Sequence, residues 1–282
     1  MDIEKFLAVK GYASTTVDQY KRTLTNISRD LGDLENLSPM ELRKWLESFG
    51  WANATKWVSL CAVRAYLKWR YGESHLAMEL KMKREESPPQ RSLKMSQVEE
   101  LLYYFETHKA KGRRDLAICT MFLDTGLRSF EMCHLEMRWT DVRERCIKVR
   151  VKGGSIQTGV FCEYTASCVM RWLGDRKEYV RNDARSLFVS VGGTTPGNPL
   201  TTGGLRAEVR KWGKESGIGP LSPHDLRRTF ATLSTRLGAP SRIVQVAGRW
   251  SRLEMVERYT RDIVATDFDP WFPVSAAMEL NR

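Results

Sequence analysis

The sequence predicts a mainly α-helical protein with a small β-sheet, arranged as two units joined by a charged linker. Apolar residues recur at helical spacing along most of the 282-residue chain, and around residues 141–161 they alternate as they do in strands. Residues 81–95 show neither pattern and contain Pro88-Pro89 among many charges, which is typical of a linker. We therefore expect a helical bundle over residues 1–80 and an α+β unit over residues 96–282.

The first unit is expected to contain about four helices, three of which are marked by clear signals. An apolar stripe marks residues 14–31, and Gly32 ends it. A capping box at residues 38–41, with proline at the first helical position, predicts a second helix that runs to Phe49. A third helix is predicted over residues 53–71. Aromatic residues are dense in the later part of this region, where they include Trp45, Trp51, Trp57, Tyr66, Trp69 and Tyr71. Core packing is the expected role for most of them, and stacking on nucleic acid is the alternative.

The chain is basic, with a net charge of +11 and an isoelectric point of about 9.4. A positive surface field attracts polyanions, so double-stranded DNA is the expected partner, and a solvated basic surface without such a partner is the alternative. The cations expected to contact DNA lie on the third helix and in the linker: Lys56, Arg64, Lys68, Lys81, Lys83 and Arg84.

The composition argues against several other classes of protein. There is no apolar run of about 18 residues and no apolar signal core, so we expect neither a membrane span nor a secretion signal. Six scattered cysteines without a CxxC pair indicate reduced thiols in the cytoplasm, at the nucleoid. His75, His108 and His134 lie far apart, so no metal ion or other cofactor is expected.

The second unit is expected to start with a capping box at residues 96–99 and a helix to His108, followed by a buried apolar helix over residues 113–125. Gly126 ends that helix. Arg128 follows at the turn, with Glu131 three residues later, where its carboxylate can orient the arginine. A surface ion pair of little energetic value is the alternative.

A change of period follows this turn. Apolar residues alternate on both sides of Lys152-Gly153-Gly154-Ser155, which indicates a β-hairpin with Lys152 at its tip. A solvated turn lysine is the alternative to a functional one. Helices are expected over residues 165–180 and 201–216, with a short apolar strand over residues 186–191 between them.

The stretch over residues 222–260 carries the strongest functional signal. A serine cap and a proline open a helix on which His224 and Arg227, three residues apart, point the same way. Tyr259 lies in a later helical segment over residues 253–260. Cations beside a phenol suggest a phosphate that is attacked by a hydroxyl. A buried helical hairpin with one satisfied histidine is the alternative.

Several segments together resemble the tyrosine recombinase, or phage integrase, family. DTGLRSFEM, which contains Arg128, is similar to the family's first arginine box, and Lys152 lies on the expected hairpin. PHDLRRTFAT resembles the second arginine box, and AGRWSRLEMVERYT resembles the segment that carries the nucleophile. The resemblance covers residues 96–260 in detail, and the N-terminal bundle is similar to the family's SAM-like core-binding domain.

The resemblance implies a site-specific recombinase that cleaves and rejoins duplex DNA without a cofactor. Tyr259 would attack a phosphodiester and form a 3′-phosphotyrosyl link beside a free 5′-hydroxyl. Arg128 and Arg227 would hold the non-bridging oxygens, because a guanidinium matches a phosphate bidentately. Lys152 would protonate the leaving oxygen. His224 would bond the phosphate and assist proton transfer.

Other positions extend or depart from this pattern. Glu131 would support Arg128 without reacting. Trp250 stands where the family more often has histidine, and an indole donates one hydrogen bond but cannot shuttle a proton. Arg249 is one residue more than usual between Gly248 and Trp250, and it would offer a second cation near the phosphate.

The resemblance also implies how the protein assembles on DNA. Two basic domains would clamp a duplex, and a tetramer would exchange strands at paired sites. The apolar tail with Trp271 and Phe272 would pack on its own domain or dock on a neighbouring subunit. Because the chain starts almost directly at the bundle, an Xer-like or small-integrase organisation is expected. Viral integration, transposition and chromosome-dimer resolution all remain open as roles. The alternatives in activity are a non-catalytic DNA-binding protein of the same fold and a type IB topoisomerase-like enzyme.

Overall fold

The computed structural model describes residues 2–83, 85, 91–106, 110–151, 154–181, 185–193 and 195–257. The chain divides into two compact units, Met1–Pro88 and Pro89–Arg282, and each unit has its own hydrophobic core. Within these ranges, no helix is both long enough and apolar enough to cross a membrane.

The first unit is a helical bundle. Its elements are α1 (Ile3–Lys10), α2 (Ser14–Leu31), α3 (Pro39–Ser48), α4 (Asn53–Tyr71) and a 3-10 helix at Leu76–Glu79. The predicted bounds of α2 and α4 are confirmed, and so is the capping box that opens α3. These helices bury their apolar stripes against one another, since an amphipathic helix is stable only when that face is covered.

Aromatic side chains form a large part of this first core. Trp45 and Tyr66 are buried, while Trp51, Trp69 and Tyr71 are partly buried and pack against the same cluster. The core role predicted for most of the aromatic residues is therefore confirmed.

The second unit is α+β. It contains α5 (Met95–Glu106), α6 (Ala110–Thr125), α7 (Ser129–Cys133), a 3-10 helix at Met137–Trp139, and strands β1 (Thr140–Asp141), β2 (Cys146–Arg150) and β3 (Ile156–Val160). The helices that follow are α8 (Glu163–Tyr179), α9 (Thr202–Glu215), α10 (Pro223–Arg236), α11 (Ser241–Ala247) and α12 (Glu254–Glu257). The mainly helical fold with a small sheet is therefore confirmed.

Helix α6 is central to the second unit, where it packs against α5, α8 and α10. Residues 117–122 are almost fully buried, as predicted for an apolar helix. Near its start, the buried Asp115 accepts hydrogen bonds from Arg114 at 2.5 Å and from the indole of Trp212 at 2.9 Å. Because buried charges are tolerated only when they are paired, this network fixes the position of α6 relative to α9.

The three strands form an antiparallel sheet in the order β1-β2-β3. The hairpin predicted from the alternating pattern is confirmed as β2 and β3, and β1 adds a short third strand. Ile147 and Val149 of β2 are buried. Of the 5 residues of β3, Gly159 is the buried one, and it is paired with Ile147.

The strand predicted over residues 186–191 is wrong as a regular element. Ser186 and Val189 each form a single antiparallel bridge, to Glu136 and Pro199 respectively. An apolar run of this length fits an extended segment, but whether it joins a ladder depends on the neighbouring backbone.

The start of α5 also differs from the prediction. The helix begins at Met95, so Ser96 lies within its first turn and does not cap it. The Gln97 side chain accepts a hydrogen bond from the amide of Lys94 at 3.1 Å, which satisfies a free donor at this end.

The final residues of the predicted linker are bound to the second unit. The guanidinium of Arg91 donates hydrogen bonds to the carbonyls of Pro220 at 2.8 Å and Ile218 at 2.6 Å. The amide of Leu93 donates to the hydroxyl of Thr229 at 2.9 Å. This stretch is therefore fixed by backbone contacts ahead of α5.

Candidate active site

Side chains with phosphate-binding chemistry converge where three segments of the second unit meet. These segments are the turn from α6 to α7, the first turns of α10, and the turn that follows α11. Gly126 makes the first turn possible, because its φ is +57° and a Cβ there would lie 2.4 Å from Cδ1 of Phe230. An L-residue at this position would suffer both backbone strain and a clash with the neighbouring helix.

Arg128 reaches the surface from this turn, held by a buried carboxylate. Its side chain is 40% exposed, whereas that of Glu131 is 3% exposed. The carboxylate of Glu131 accepts a hydrogen bond from the Arg128 guanidinium at 2.7 Å and another from the Arg128 amide at 2.8 Å. Two bonds from one carboxylate fix both the backbone and the side chain of the arginine.

His224 lies in the first turn of α10, where Ser222 caps the helix through a capping box with Asp225. The cap and the N-terminal proline, both predicted from the sequence, fix the direction of this helix. The imidazole reaches solvent, yet partial desolvation lowers its pKa, and the charges of Arg228, Arg227 and Arg128 add to this effect. Asp225 acts in the opposite direction. The neutral imidazole is therefore the favoured form at neutral pH.

We expect the pKa of His224 in the folded protein to lie below the ordinary histidine value of about 6.5. Replacement of Arg228 by glutamine should raise it, because a cation that opposes protonation is removed. Because the pKa of His224 is lower in the folded protein than in the unfolded chain, the contribution of this imidazole to the free energy of unfolding is complete above the unfolded pKa. It is lost as the pH falls toward the folded value. An NMR titration of the imidazole measures this, with the exposed Arg236→Gln at the far end of α10 as control. An unchanged pKa in Arg228→Gln would contradict this account.

Arg227 is one turn of helix from His224, but its side chain lies in the interior. The residue is 2% exposed. Its guanidinium donates to the carbonyl of Gly126 and, at 2.7 Å, to the carbonyl of Gly248. The guanidinium carbon also lies 4.2 Å from the ring centroid of Trp250, in a cation–π contact.

Trp250 forms the apolar floor of the site. It is 5% exposed and stacks on Phe230 with ring centroids 6.1 Å apart. A Cβ at Gly248 would lie 1.8 Å from the indole, so residue 248 must be glycine for the ring to fit. The tryptophan thus packs beneath Arg227, and its carbonyl is held by the Gln245 side chain at 3.1 Å.

Arg249 points inward, not toward the surface. Its side chain is 1% exposed, and its guanidinium donates to the carbonyls of Ala247 at 2.8 Å and Thr125 at 2.9 Å. A further nitrogen–oxygen distance of 3.8 Å links it to Glu131. The expectation of a second cation in direct reach of a phosphate therefore does not fit this orientation.

Several residues singled out from the sequence lie outside the described residues. Lys152 lies in the sequence between β2 and β3, and Tyr259 lies two residues after the last described residue, Glu257. The tail with Trp271 and Phe272 is also outside.

The cations of the first unit that were predicted to contact DNA fall into two groups. Lys56, Lys81 and Lys83 line one cleft of about 230 Å³, together with Arg43 and Asn53. Asn53 fixes the rim of this cleft, since its amide donates to the Lys83 carbonyl at 3.4 Å and accepts from the Glu85 amide at 3.2 Å. Arg43 donates to the Lys81 carbonyl at 3.1 Å.

The remaining predicted DNA contacts behave differently. Arg64 is half-buried and donates to the carbonyls of Met78 and Leu80, so it ties the 3-10 helix to α4. Lys68 pairs with Glu73 on the surface. Arg84 lies outside the described residues. Sequence reasoning missed Arg43 and Asn53, because their significance depends on a chain segment that returns to them from about 30 residues away.

No group of three or more metal-ligating side chains occurs in the part of the chain that the structure describes. The histidines have other roles there. His75 is buried and bonds the carbonyl of Leu34 at 2.9 Å, and His134 bonds the carbonyl of Phe130 at 2.8 Å.

Comparison with known proteins gives a consistent result. A family model described as the phage integrase family matches residues 91–265. The tyrosine recombinase XerC of Corynebacterium glutamicum is 27% identical over 260 residues, which covers 89% of this chain and 83% of that protein. XerC of Staphylococcus saprophyticus is 30% identical over 165 residues, which covers 58% of this chain and 54% of that protein.

Solved structures share the fold at lower identity. The Tn1549 transposon integrase in complex with transposon right end DNA has a TM-score of 0.75 and 18% identity, with 99% of both chains covered. The XerH site-specific recombinase bound to a palindromic difH substrate, a post-cleavage complex, has a TM-score of 0.73 and 20% identity. That match covers 91% of this chain and 79% of the other.

Proposed function

This chain belongs to the phage integrase family of tyrosine recombinases, enzymes that cleave and rejoin DNA, and we propose that Tyr259 is the residue that forms its covalent link to DNA. The phenolic oxygen attacks a phosphodiester phosphorus, and the bond to the 5′-oxygen breaks as that oxygen takes up a proton. The products are a 3′-phosphotyrosyl link and a free 5′-hydroxyl. Attack by a 5′-hydroxyl on the link reverses the reaction, so no nucleotide cofactor is needed.

The placement of Arg128 carries this proposal. A guanidinium that is fixed by a buried carboxylate and still 40% exposed is prepared to bind an anion from solvent. Charge accumulates on the non-bridging oxygens of a phosphate during attack, and donors that are already oriented stabilise this charge without reorganisation. Glu131 supplies that orientation through its two bonds to Arg128.

Proton transfer is assigned to His224 and Lys152. A lowered pKa keeps the His224 imidazole neutral, so it can accept a proton from the attacking phenol or bond the phosphate through its N–H group. Lys152, whose position in the sequence falls between β2 and β3, delivers a proton to the leaving 5′-oxygen. The ammonium group on a flexible stem suits a group that must approach from outside the site.

Arg227 and Trp250 support the phosphate from below. The Arg227 guanidinium lies over the Trp250 ring. Its hydrogen bonds to the carbonyls of Gly126 and Gly248 join two of the segments that build the site. In its proposed phosphate-binding role, Arg227 shares or exchanges these carbonyl bonds when DNA is bound. Trp250 packs the site but moves no proton.

Recombination requires specific duplex sites and several subunits. The basic cleft of the first unit, with Lys56, Lys81 and Lys83, is proposed to contact the DNA backbone. The XerH and Tn1549 integrase structures were determined with DNA, which supports a DNA substrate for this chain too. We further propose a tetramer on DNA in which the tail with Trp271 and Phe272 docks on a neighbour, and a location at the nucleoid.

A trapping experiment tests the activity. Duplexes selected from a random library by binding to the protein are resynthesised with a nick close to each phosphate in turn. Cleavage then releases a short fragment and prevents rejoining. We expect a protein–DNA adduct that survives denaturation and maps by mass spectrometry to the peptide containing Tyr259.

The alternatives give different outcomes. Tight duplex binding without any adduct would indicate a non-catalytic DNA-binding protein of this fold. Adducts and supercoil relaxation without recombinant products from paired sites would indicate topoisomerase-like activity.

A further inference from the structure

The most unusual residue near the site is Arg249, because three features that are individually unfavourable coincide there. Its backbone φ is +56°, in the left-handed region that favours glycine. Its guanidinium is buried, and burial lowers its pKa despite the nearby carboxylate of Glu131. Its Nε has no hydrogen-bond partner among the described residues. Strain of this kind persists where the surrounding structure imposes it, and it is concentrated at functional sites.

The contacts of Arg249 parallel those of Arg227. Arg249 joins the carbonyl of Thr125 to that of Ala247, and Arg227 joins the next carbonyl of each segment, Gly126 to Gly248. We call these two residues the arginine bridge. It links the end of α6 to the end of α11, where helix carbonyls lack intrahelical partners and cations are favoured.

The bridge is positioned to act on Arg128. Thr125 lies three residues before Arg128, and the Glu131 carboxylate that holds Arg128 is 3.8 Å from a guanidinium nitrogen of Arg249. The β3 residue facing this guanidinium is Gly159, where a Cβ would lie 3.2 Å from Nη1. The backbone carbonyls, the carboxylate and the glycine thus form a closed socket around Arg249.

We infer that Arg249 is a positioning residue that sets the place of Arg128 through Thr125 and Glu131, and not a ligand of the phosphate. This inference rests on the proposed function. The Arg249 guanidinium is bound to two carbonyls, lies 3.8 Å from the Glu131 carboxylate and faces Gly159 of β3, so its donors are directed at protein groups, whereas Arg128 is accessible. The role is therefore to hold the exposed arginine in register with the rest of the site.

The test uses Arg249→Gly, since glycine adopts the positive φ without strain and removes the side chain together with its guanidinium. Single-turnover adduct formation with saturating DNA should fall about 10²-fold, the size of effect expected when a catalytic group is displaced by about 1 Å. The duplex dissociation constant should change by less than a factor of about three. Its salt dependence should keep the same slope, because no phosphate contact is lost. Arg145→Gly is the matched control, as Arg145 also has a positive φ, of 52°, but is exposed.

Two further variants complete the test. Arg249→Lys retains the charge but ends in one nitrogen, so its rate of adduct formation should be reduced as much as that of Arg249→Gly. If Arg249→Gly does not fold, Arg249→Lys takes its place in the test. In the double variant Arg249→Gly/Glu131→Gln, the rate of adduct formation should fall by less than the product of the fold-reductions in the two single variants, because both residues act through Arg128. Any of three results would overturn the inference. These are a wild-type rate of adduct formation in Arg249→Gly, a salt dependence of binding reduced by about one phosphate contact, and rate losses in the double variant that multiply independently. Adduct formation by the wild-type protein is measured in the same assay and tests the proposed function separately. The three results for the variants would therefore overturn the role of Arg249 without overturning the proposed function.

Discussion

Replacement of Tyr259 by phenylalanine is expected to abolish covalent protein–DNA complexes while duplex binding is retained. Phenylalanine has nearly the same volume and lacks only the oxygen that attacks phosphorus. Loss of a covalent nucleophile removes the whole reaction path, so adduct formation should fall by more than about 10⁴-fold. The measurement is a denaturing gel of labelled, nicked duplex after incubation with each variant, alongside a binding titration at fixed salt.

Tyr103→Phe is the control for this experiment. Tyr103 lies on α5 and is 69% exposed, so the same loss of a hydroxyl should leave adduct formation unchanged. Adducts that persist in Tyr259→Phe would assign the nucleophile to another residue. Loss of binding together with cleavage would indicate that the substitution disturbs the fold.

Replacement of Arg128 by lysine is expected to reduce the rate of adduct formation by about 10²–10³-fold, as with other oriented donors to a developing oxyanion. Lysine keeps the charge but loses the planar fork that binds Glu131 and a phosphate together. Because Arg128 is 40% exposed and lysine keeps a positive charge beside the buried Glu131 carboxylate, the thermal midpoint should change little. Rates are measured in single turnover with DNA in excess.

The matched control is Arg138→Lys. Arg138 is also paired with a nearby glutamate, Glu136 at 2.6 Å, but its side chain is 65% exposed outside the site. A wild-type rate is expected for this variant. Equal losses in the two variants would show that the effect comes from replacing an arginine by a lysine in general and not from the orientation of the Arg128 guanidinium.

Local patterns were sufficient for much of the fold. The bounds of α2 and α4, the caps of α3 and α10, and the β2–β3 hairpin depend on apolar periodicity and on turn and capping residues within a few positions. These signals are local, so one sequence suffices to read them. The strand expected over residues 186–191 failed because pairing depends on a distant backbone.

The site shows the same division. The order of Arg128, His224 and Arg227 along the chain indicated a phosphate-binding set, and the Arg128–Glu131 pair followed from their spacing of three. The direction of each guanidinium did not follow. Arg128 reaches solvent, whereas Arg227 and Arg249 are directed at backbone carbonyls from the ends of two helices.

The sequence by itself determined the family and the basic charge that suits DNA, and it predicted the residue types of a phosphotyrosyl reaction, since these depend on composition and on short motifs. Only the tertiary structure decided which cations remain available to a ligand. Arg64 and Arg249 are bound to carbonyls of distant segments, while Lys56, Lys81 and Lys83 share one cleft. A side chain's partners are set by segments that meet through folding, and no local pattern records which segments those are.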